Sequence, residues 1–176
     1  DSKHTNLYVI DRGLSSLDNF NAINEYNGKF VGRIKTNRNM EVVESLMKED
    51  TDTDLGNLEL YEDNIVHLYD NEEKKYCETP YRVIKARFKQ PRDTTRPANK
   101  GKVRRVENEV FLITNDFGLT PKQVAEAYRR RWDIEVFFKF LKQNLSFSHF
   151  VSTSENGIKV ILYMTLITAM LVMIYK

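Results

Sequence analysis

Apolar positions near the start of the chain follow a strand-helix-strand pattern. The apolar run at 6–13 ends at Asp11, and residues 17–23 carry apolar side chains at helical spacing. The segment "KFVGRIKT" at 29–36 is typical of a second strand. Strands joined through a helix in this way lie parallel, with a right-handed crossover. The first part of the chain therefore predicts a β-α-β unit.

The pattern changes over residues 37–108, which are more charged and are divided into short strand-like runs. Three of these runs are "NLELYE", "NIVHLYD" and "YRVIKARFK". Short alternating runs separated by turn residues favour antiparallel pairing. We expect an inserted, mostly antiparallel β segment here, after which the strand "NEVFLITN" at 108–115 leads back to the main body.

Strong helix signals follow. Thr120, Pro121 and Gln123 have the spacing of a capping box with proline at the first helical position. The helix that they start is predicted to run to about Gln143.

A last helix is predicted to open near Gly157. It includes an uncharged apolar run at 160–175, which is shorter than the roughly 20 apolar residues that a membrane span needs. The run also contains threonine and tyrosine and is flanked by Lys159 and Lys176. We interpret it as a buried core helix, with a membrane anchor as the less favoured alternative.

The charged residues are distributed unevenly along the chain, and this distribution is more informative than the net charge. The net charge of +2 does not by itself indicate a nucleic-acid-binding protein. However, residues 50–78 hold ten acids and two lysines, whereas residues 90–105 hold six basic residues and one acid. Such asymmetry favours a polyanionic partner on one side of the molecule, although charge runs are often only solvated loops. The single cysteine, Cys77, excludes an internal disulfide and fits a reducing compartment.

The segment "YRRRWDIEVFFKFLK" at 128–142 combines an apolar side with a charged face. At about 100° per residue, an arc of about 80° holds one carboxylate among three cations and a phenol. These residues are Tyr128, Arg131, Glu135, Lys139 and Lys142. The opposite side is expected to be buried and carries Ala127, Ile134, Phe137, Phe138, Phe140 and Leu141. A solvated face would mix acids and bases more evenly, so the arrangement favours a binding role.

Two motifs resemble those of the DDE transposases of bacterial insertion sequences, in the branch of the IS-four family with a Y-x2-R-x3-E-x6-K signature and a β-strand insertion. Tyr128, Arg131, Glu135 and Lys142 match all four signature positions at the family's spacings. The second catalytic aspartate of the family ends a strand in an apolar-D-R-G context, and "YVIDRGL" places Asp11 there. The resemblance covers 7–36 and 109–170 well.

The resemblance implies an α/β fold with a partial ribonuclease-H-like core. Residues 1–36 would form the second part of the core, 37–108 an inserted β-rich subdomain, and 109–176 the C-terminal core helices. It also implies that two aspartates and one glutamate hold two Mg²⁺ ions, for which Mn²⁺ can substitute. Asp11 and Glu135 would be two of these metal ligands and catalytic residues.

The resemblance further implies DNA as the partner, both as transposon ends and as target. Arg131 and Lys142 would grip phosphates, with Tyr128 hydrogen-bonded to the same backbone and Lys139 beside them. A second DNA-binding surface is expected in the basic segment, which is predicted to lack regular structure: Arg92, Arg96, Lys100, Lys102, Arg104 and Arg105. The full-length protein would dimerise on DNA in the bacterial cytoplasm, at the nucleoid when bound, and not at a membrane.

Two features depart from the family pattern. The first aspartate of the triad should lie well upstream, whereas Asp1 is only ten residues before Asp11. We therefore expect that aspartate to be absent from this chain, together with the first core strands, and the chain alone to be inactive. Relatives often place a tryptophan in the insertion to stack on a flipped base, but Trp132 lies in the signature helix, so that role is unassigned.

Simpler interpretations of the same residues stay open. Asp11 alone is typical of a turn or capping residue, and Glu135 alone of an intrahelical partner for Arg131 or Lys139. An inactive DNA-binding protein derived from a transposase would share both motifs. The segment "DTDTDLG" at 50–56 resembles the start of a calcium loop, but its glycine is one position late and Tyr61 stands where a glutamate is required.

Overall fold

The protein is described by a computed structural model that covers residues 6–93, 106–144 and 154–175. These residues form a mixed α/β fold with a seven-stranded sheet and four α-helices. Contacts divide the chain into two compact units, the first ending at Arg131 and the second beginning at Trp132. The sheet lies in the first unit.

The predicted β-α-β unit is present. Strand β1 (Leu7–Ile10) pairs in parallel with β2 (Lys29–Ile34), and helix α1 (Leu17–Glu25) connects them. Ser16 caps α1, because its hydroxyl accepts a hydrogen bond from the backbone of Asn19 at 3.3 Å. The parallel pair predicted from the sequence is therefore confirmed.

Five further strands extend the sheet, and all of their pairings are antiparallel. They are β3 (Met40–Ser45), β4 (Leu58–Asp70), β5 (Lys75–Tyr76), β6 (Tyr81–Asp93) and β7 (Val106–Thr114). The strand order is β1-β2-β7-β6-β4-β3, and β5 pairs with β4. The antiparallel character expected after the β-α-β unit is thus present.

Two strand boundaries differ from the sequence expectation. The runs "NLELYE" and "NIVHLYD" form the single strand β4, with a bulge between Leu60 and Glu62. The basic segment was expected to be irregular from residue 90, but β6 continues to Asp93, and Arg92 pairs with Glu107 of β7. The prediction was wrong at this end because a partner strand stabilises an extended backbone that proline and glycine content alone would not favour.

Alternate residues of the central strands fill two cores, one with α1 and one with α2. Strand side chains alternate between faces, and Val83 and Ile84 of β6 accordingly enter different clusters. The α1 cluster includes Phe20 and Phe30, and the other includes Val124 of the next helix. Helix α1 therefore packs on one face of the sheet, and α2 packs on the other.

The single helix predicted from Pro121 is two helices. Helix α2 (Pro121–Arg129) begins with the predicted capping box, in which Thr120 and Gln123 exchange hydrogen bonds. It ends at Arg130, whose N–H donates to the carbonyl oxygens of Glu126 and Tyr128, and α3 (Arg131–Asn144) follows at once. The helical wheel drawn through 128–142 therefore holds for α3 but does not include Tyr128.

The second unit exposes most of its described apolar side chains. Helix α4 (Glu155–Ile174) has Ala169 as its one buried residue among those described. In α3, Ile134 and Phe138 are exposed, whereas Phe137 and Phe140 are half-buried and the side chain of Leu141 lies outside the described ones. The prediction of a buried core helix is therefore wrong for α4, and that of a buried side is wrong for Ile134 and Phe138, whereas Ala127 of α2 packs against a core cluster as predicted. The sequence shows which side of α3 is apolar, but not whether another element packs against it.

Helix α4 is long and apolar enough to cross a membrane by length and composition alone. The window Glu155–Val172 has a mean hydropathy of 1.4, and 6% of it is buried. Core helices of soluble proteins have the same composition, so this helix is weak evidence for a membrane location.

Candidate active site

Asp11 lies directly after β1, where the chain turns into a short 3-10 helix (Arg12–Leu14). Its Oδ1 accepts a hydrogen bond from the backbone N–H of Arg12 at 2.8 Å and caps this helix. The capping role that the sequence left open is therefore real. It is compatible with a binding role, because the side chain remains 60% exposed.

Arg131 is the signature residue that the structure brings to Asp11. The distance from Arg131 Nε to Asp11 Oδ1 is 3.7 Å, and the arginine side chain is mostly buried. The two preceding arginines are directed elsewhere: Arg129 and Arg130 reach the exposed carboxylate of Glu126 at 4.0 and 3.4 Å. Only the last arginine of the "RRR" run thus contacts the strand-end carboxylate.

Tyr128 completes this group in the first unit. The guanidinium carbon of Arg131 lies 5.7 Å from the centre of its ring, within the range of a cation–π contact. Burial raises the pKa of the Tyr128 phenol; the positive charges of Arg131 and Arg33 oppose the shift, and Asp11 adds to it. Tyr128, Arg131 and Asp11 therefore share one electrostatic environment.

Arg33 is a member of this group that the sequence reasoning missed. It lies in β2, which is aligned with β1 so that Ile10 is opposite Gly32. Arg33 directly follows Gly32, and its positive charge acts to lower the pKa of Tyr128, as that of Arg131 does. The signal was present in the predicted β-α-β unit, but the register of two parallel strands had to be known to use it.

The other signature residues lie in the second unit. Glu135, Lys139 and Lys142 recur at helical spacing in α3 and line one open cleft of about 580 Å³, with Phe138 and Gln143. The three charged side chains are exposed. Trp132, near the start of the same helix, is 59% exposed. The cleft thus combines one carboxylate with two cations, as the sequence pattern indicated.

The predicted DNA-binding residues of the basic segment are only partly described. The backbone of Arg92 belongs to β6. The other five, Arg96, Lys100, Lys102, Arg104 and Arg105, lie outside the described residues.

Among the residues that the structure describes, no three carboxylate, histidine or cysteine side chains are grouped so that they could hold a metal ion. Asp11 and Glu135 offer hard oxygen atoms of the kind that Mg²⁺ prefers, and the exposed Asp11 is accessible to a metal. In the segment that resembles a calcium loop, Asp54 accepts a hydrogen bond from the backbone of Gly56 at 2.7 Å and pairs with Lys89 at 2.9 Å. Asp54 therefore acts in a turn and an ion pair.

Known proteins resemble this chain along most of its length. A candidate transposase for insertion sequence element IS4SA from Synechocystis sp. is 24% identical over 160 residues, which is 90% of this chain and 38% of that protein. A candidate transposase named y4zB from Sinorhizobium fredii is 25% identical over 161 residues, which is 91% of this chain and 40% of that protein. The chain therefore spans about two fifths of the length of these two relatives.

A model of the transposase DDE domain family matches residues 1–171. This match includes Asp11 and the whole Y-R-E-K signature, and it covers nearly all of the 176 residues. The chain belongs to the transposase DDE domain family.

Proposed function

We propose that this chain is part of a DNA transposase whose full-length form cleaves transposon-end DNA and joins it to target DNA by a two-metal mechanism. Family membership supports the assignment. The observation that carries the chemistry is the contact of 3.7 Å between Arg131 and Asp11. It brings the strand-end aspartate beside Arg131, which supports a site where Asp11 would bind a metal and Arg131 a phosphate.

In this proposal Asp11 and Glu135 hold the metal ions, with a third carboxylate from the full-length protein outside these residues. When bound, two Mg²⁺ ions, or Mn²⁺ in their place, would activate the attacking water or 3′-OH and stabilise the leaving oxygen. Asp11 would hold a metal through its exposed carboxylate, and Arg131 beside it would bind a DNA phosphate.

The remaining signature residues bind and orient the DNA backbone. Arg131 and Lys142 neutralise phosphate oxygens, Arg131 with a planar fork that fixes their direction. Tyr128 acts as a hydrogen-bond donor, because a tyrosine phenol is protonated at neutral pH, and burial raises its pKa further. Lys139 adds positive charge beside Lys142 in the same cleft.

The proposed architecture is a ribonuclease-H-like core with an insertion. Residues 1–36 and 109–176 would belong to the core, and 37–108 would form the inserted subdomain. The parallel β1–β2 pair followed by antiparallel strands supports this division. The full-length protein would bind DNA as a dimer in the cytoplasm, at the nucleoid.

The test uses full-length protein and DNA that carries the transposon end. Asp11→Ala and Glu135→Ala are each expected to abolish Mg²⁺-dependent cleavage and joining and to leave end binding largely intact. Glu126→Ala is the matched control, because Glu126 is an exposed acid that pairs with Arg129 and Arg130. Cleavage retained by Glu135→Ala would contradict the mechanism.

The same assay separates the alternative, an inactive DNA-binding protein derived from a transposase. Full-length protein that binds the end but does not cleave it with Mg²⁺ or Mn²⁺ would support that alternative. The chain of 176 residues alone is expected to be inactive, since it supplies two of three carboxylates. Robust cleavage by this chain would contradict that expectation.

A further inference from the structure

A buried ion pair links two neighbouring strands of the sheet. Asp63 of β4 and Arg82 of β6 are 2% and 6% exposed. Arg82 binds the carboxylate with two nitrogens, Nε to Oδ1 at 2.8 Å and Nη2 to Oδ2 at 2.7 Å. This two-point geometry fixes the plane and direction of the guanidinium.

The third nitrogen of Arg82 extends from the sheet to the entry of α2. Its Nη1 donates to the carbonyl oxygens of Leu119 and Phe117, which lie just before the capping residue Thr120. The first turn of α2 is therefore held from outside by Arg82 and from within by the capping box.

Burial of this pair is not explained by stability alone. Removing two charges from water costs about as much as their attraction returns, and apolar replacements of similar size are often neutral or stabilising. An apolar pair would fill the same space in the sheet. It would not hold the carbonyl groups of Phe117 and Leu119, which is the directional contribution of Arg82.

The direction of α2 matters for the residues at its other end. Tyr128 follows Thr120 by eight residues, which is about 12 Å along a helix. A tilt of about 5° at the entry therefore moves Tyr128 by about 1 Å. A displacement of this size in a reacting group can cost about a hundredfold in rate.

We infer that Asp63 and Arg82 form a positioning pair, which fixes the entry of α2 and thereby places Tyr128 and Arg131 against Asp11. The effect of this pair on DNA cleavage rests on the proposed function. Its effect on the geometry around Asp11 is independent of the proposed function.

The structural arm of the test uses the full-length protein with ¹³C-labelled tyrosine. The double variant Asp63→Val with Arg82→Met nearly keeps the volume and removes the hold on α2. We expect its thermal midpoint to stay within about 3 °C of the unmodified chain or to rise, because the replacement is apolar. The titration of Tyr128, followed by NMR, is expected to shift toward that of an ordinary tyrosine.

A matched control comes from the same two strands. Lys85 of β6 pairs with Glu62 of β4 at 2.6 Å, outside the set of contacts that Arg82 makes to the α2 entry. The double variant Glu62→Leu with Lys85→Met should leave the Tyr128 titration unchanged. If the Asp63/Arg82 double variant fails to fold, Arg82→Lys replaces it in the Tyr128 titration. Lysine can keep the charge pair with Asp63, but it cannot bind the carboxylate and both carbonyl groups at once.

In full-length protein, the Asp63/Arg82 variant is expected to lose about tenfold or more in kcat for end cleavage, with KM for the DNA changed less than about twofold. A Tyr128 titration that stays unchanged in the folded variant would overturn the inference, and so would an unchanged kcat in a cleaving enzyme. If unmodified full-length protein does not cleave, the proposed function fails, and the Tyr128 titration still decides the positioning role.

Discussion

At the scale of single residues, Tyr81 shows how a polar atom is accommodated in an apolar core. Its ring packs against Phe20 and Phe30, with ring centres 5.5 and 6.0 Å away. The hydroxyl accepts from Asn24 and donates to Asn21, both at 3.3 Å. The bond to Asn21 requires the phenol proton, whereas the bond from Asn24 lowers the pKa; burial outweighs that effect and raises the pKa of Tyr81 to about 12.

This shift makes stability depend on alkaline pH. An unfolded tyrosine loses its proton near pH 10, whereas folded Tyr81 keeps it until about pH 12. Between these values the unfolded state binds fewer protons, so the free energy of unfolding must fall as pH rises. We expect Tyr81 to contribute roughly 1–3 kcal/mol to the fall between pH 10 and 12.

Urea unfolding at pH 8, 10 and 11 measures the effect. Tyr81→Phe should be less stable than the unmodified chain at pH 8, because the hydrogen bonds to Asn21 and Asn24 are lost. It should also lose less stability between pH 8 and pH 11. Tyr61, whose pKa is likewise raised to about 12, remains in both proteins, so some decline persists. Parallel declines in the two proteins would contradict the assignment.

At the scale of elements, the close approach of β1 and β2 sets the position of Asp11. A side chain at Gly32 would place its Cβ 2.7 Å from Cγ1 of Ile10, the residue before Asp11. Glycine is therefore required for close packing of the strands rather than for an unusual backbone angle. The same packing brings Arg33 of β2 into the environment of Tyr128.

Gly32→Ala is therefore expected to displace Ile10 and with it Asp11. The free energy of unfolding should fall by about 1–3 kcal/mol, the usual cost of overpacking, as measured by urea unfolding. Gly13→Ala is the matched control, because no atom lies within 4 Å of its added Cβ and Gly13 is also near Asp11. Equal losses in the two variants would show that backbone freedom, and not the contact with Ile10, is the cause.

The elements that the sequence predicted correctly depend on local signals. The capping box at Thr120 acts within four residues, and the β-α-β unit follows from adjacent periodic segments. The continuity of β4 could not be predicted in this way. Glu62 and Asp63 have the composition of a turn, and Asp63 is buried in a strand because its partner, Arg82, lies 19 residues further along the chain.

The same limit applies to the candidate site. Asp11 and the signature residues were identified because their spacing along the chain is a motif. Arg33 was missed because its place near Tyr128 depends on the pairing of β2 within the sheet and not on spacing along the chain. The break at Arg130 was missed because neither glycine nor proline interrupts "RRRWD", and the end of α2 depends on hydrogen bonds of its last turn.

At the scale of the whole molecule, a net charge of +2 conceals an uneven distribution of charge. In the acidic segment 50–78, several carboxylates already have lysine partners: Asp54 binds Lys89, and Glu62 binds Lys85. The basic segment joins β6 to β7 and carries six cations against one acid. A polyanion would therefore be attracted to this connection, and the acidic segment would repel it less than its number of carboxylates suggests.

Two kinds of cation should contribute differently to DNA binding. In the proposed function, cations of the basic segment would act on any phosphate backbone, so they would strengthen binding to every sequence and make it depend on salt through counterion release. Arg131 is held beside Asp11 and Tyr128, so it should favour one geometry of the cleaved end. Arg131→Ala should accordingly reduce end cleavage more than it reduces binding.

A salt titration of full-length protein on transposon-end DNA and on random DNA separates the two. Neutralising Lys100, Lys102, Arg104 and Arg105 should lower the slope of log K against log salt by roughly 3 to 4 on both DNAs, since each phosphate contact contributes nearly one. Replacing Lys74 and Lys75 by glutamine is the control; these cations lie in the acidic segment, where Lys75 pairs with Glu73, and the slope should stay constant. An unchanged slope in the fourfold variant would mean that the basic segment is a solvated connection without a role in DNA binding.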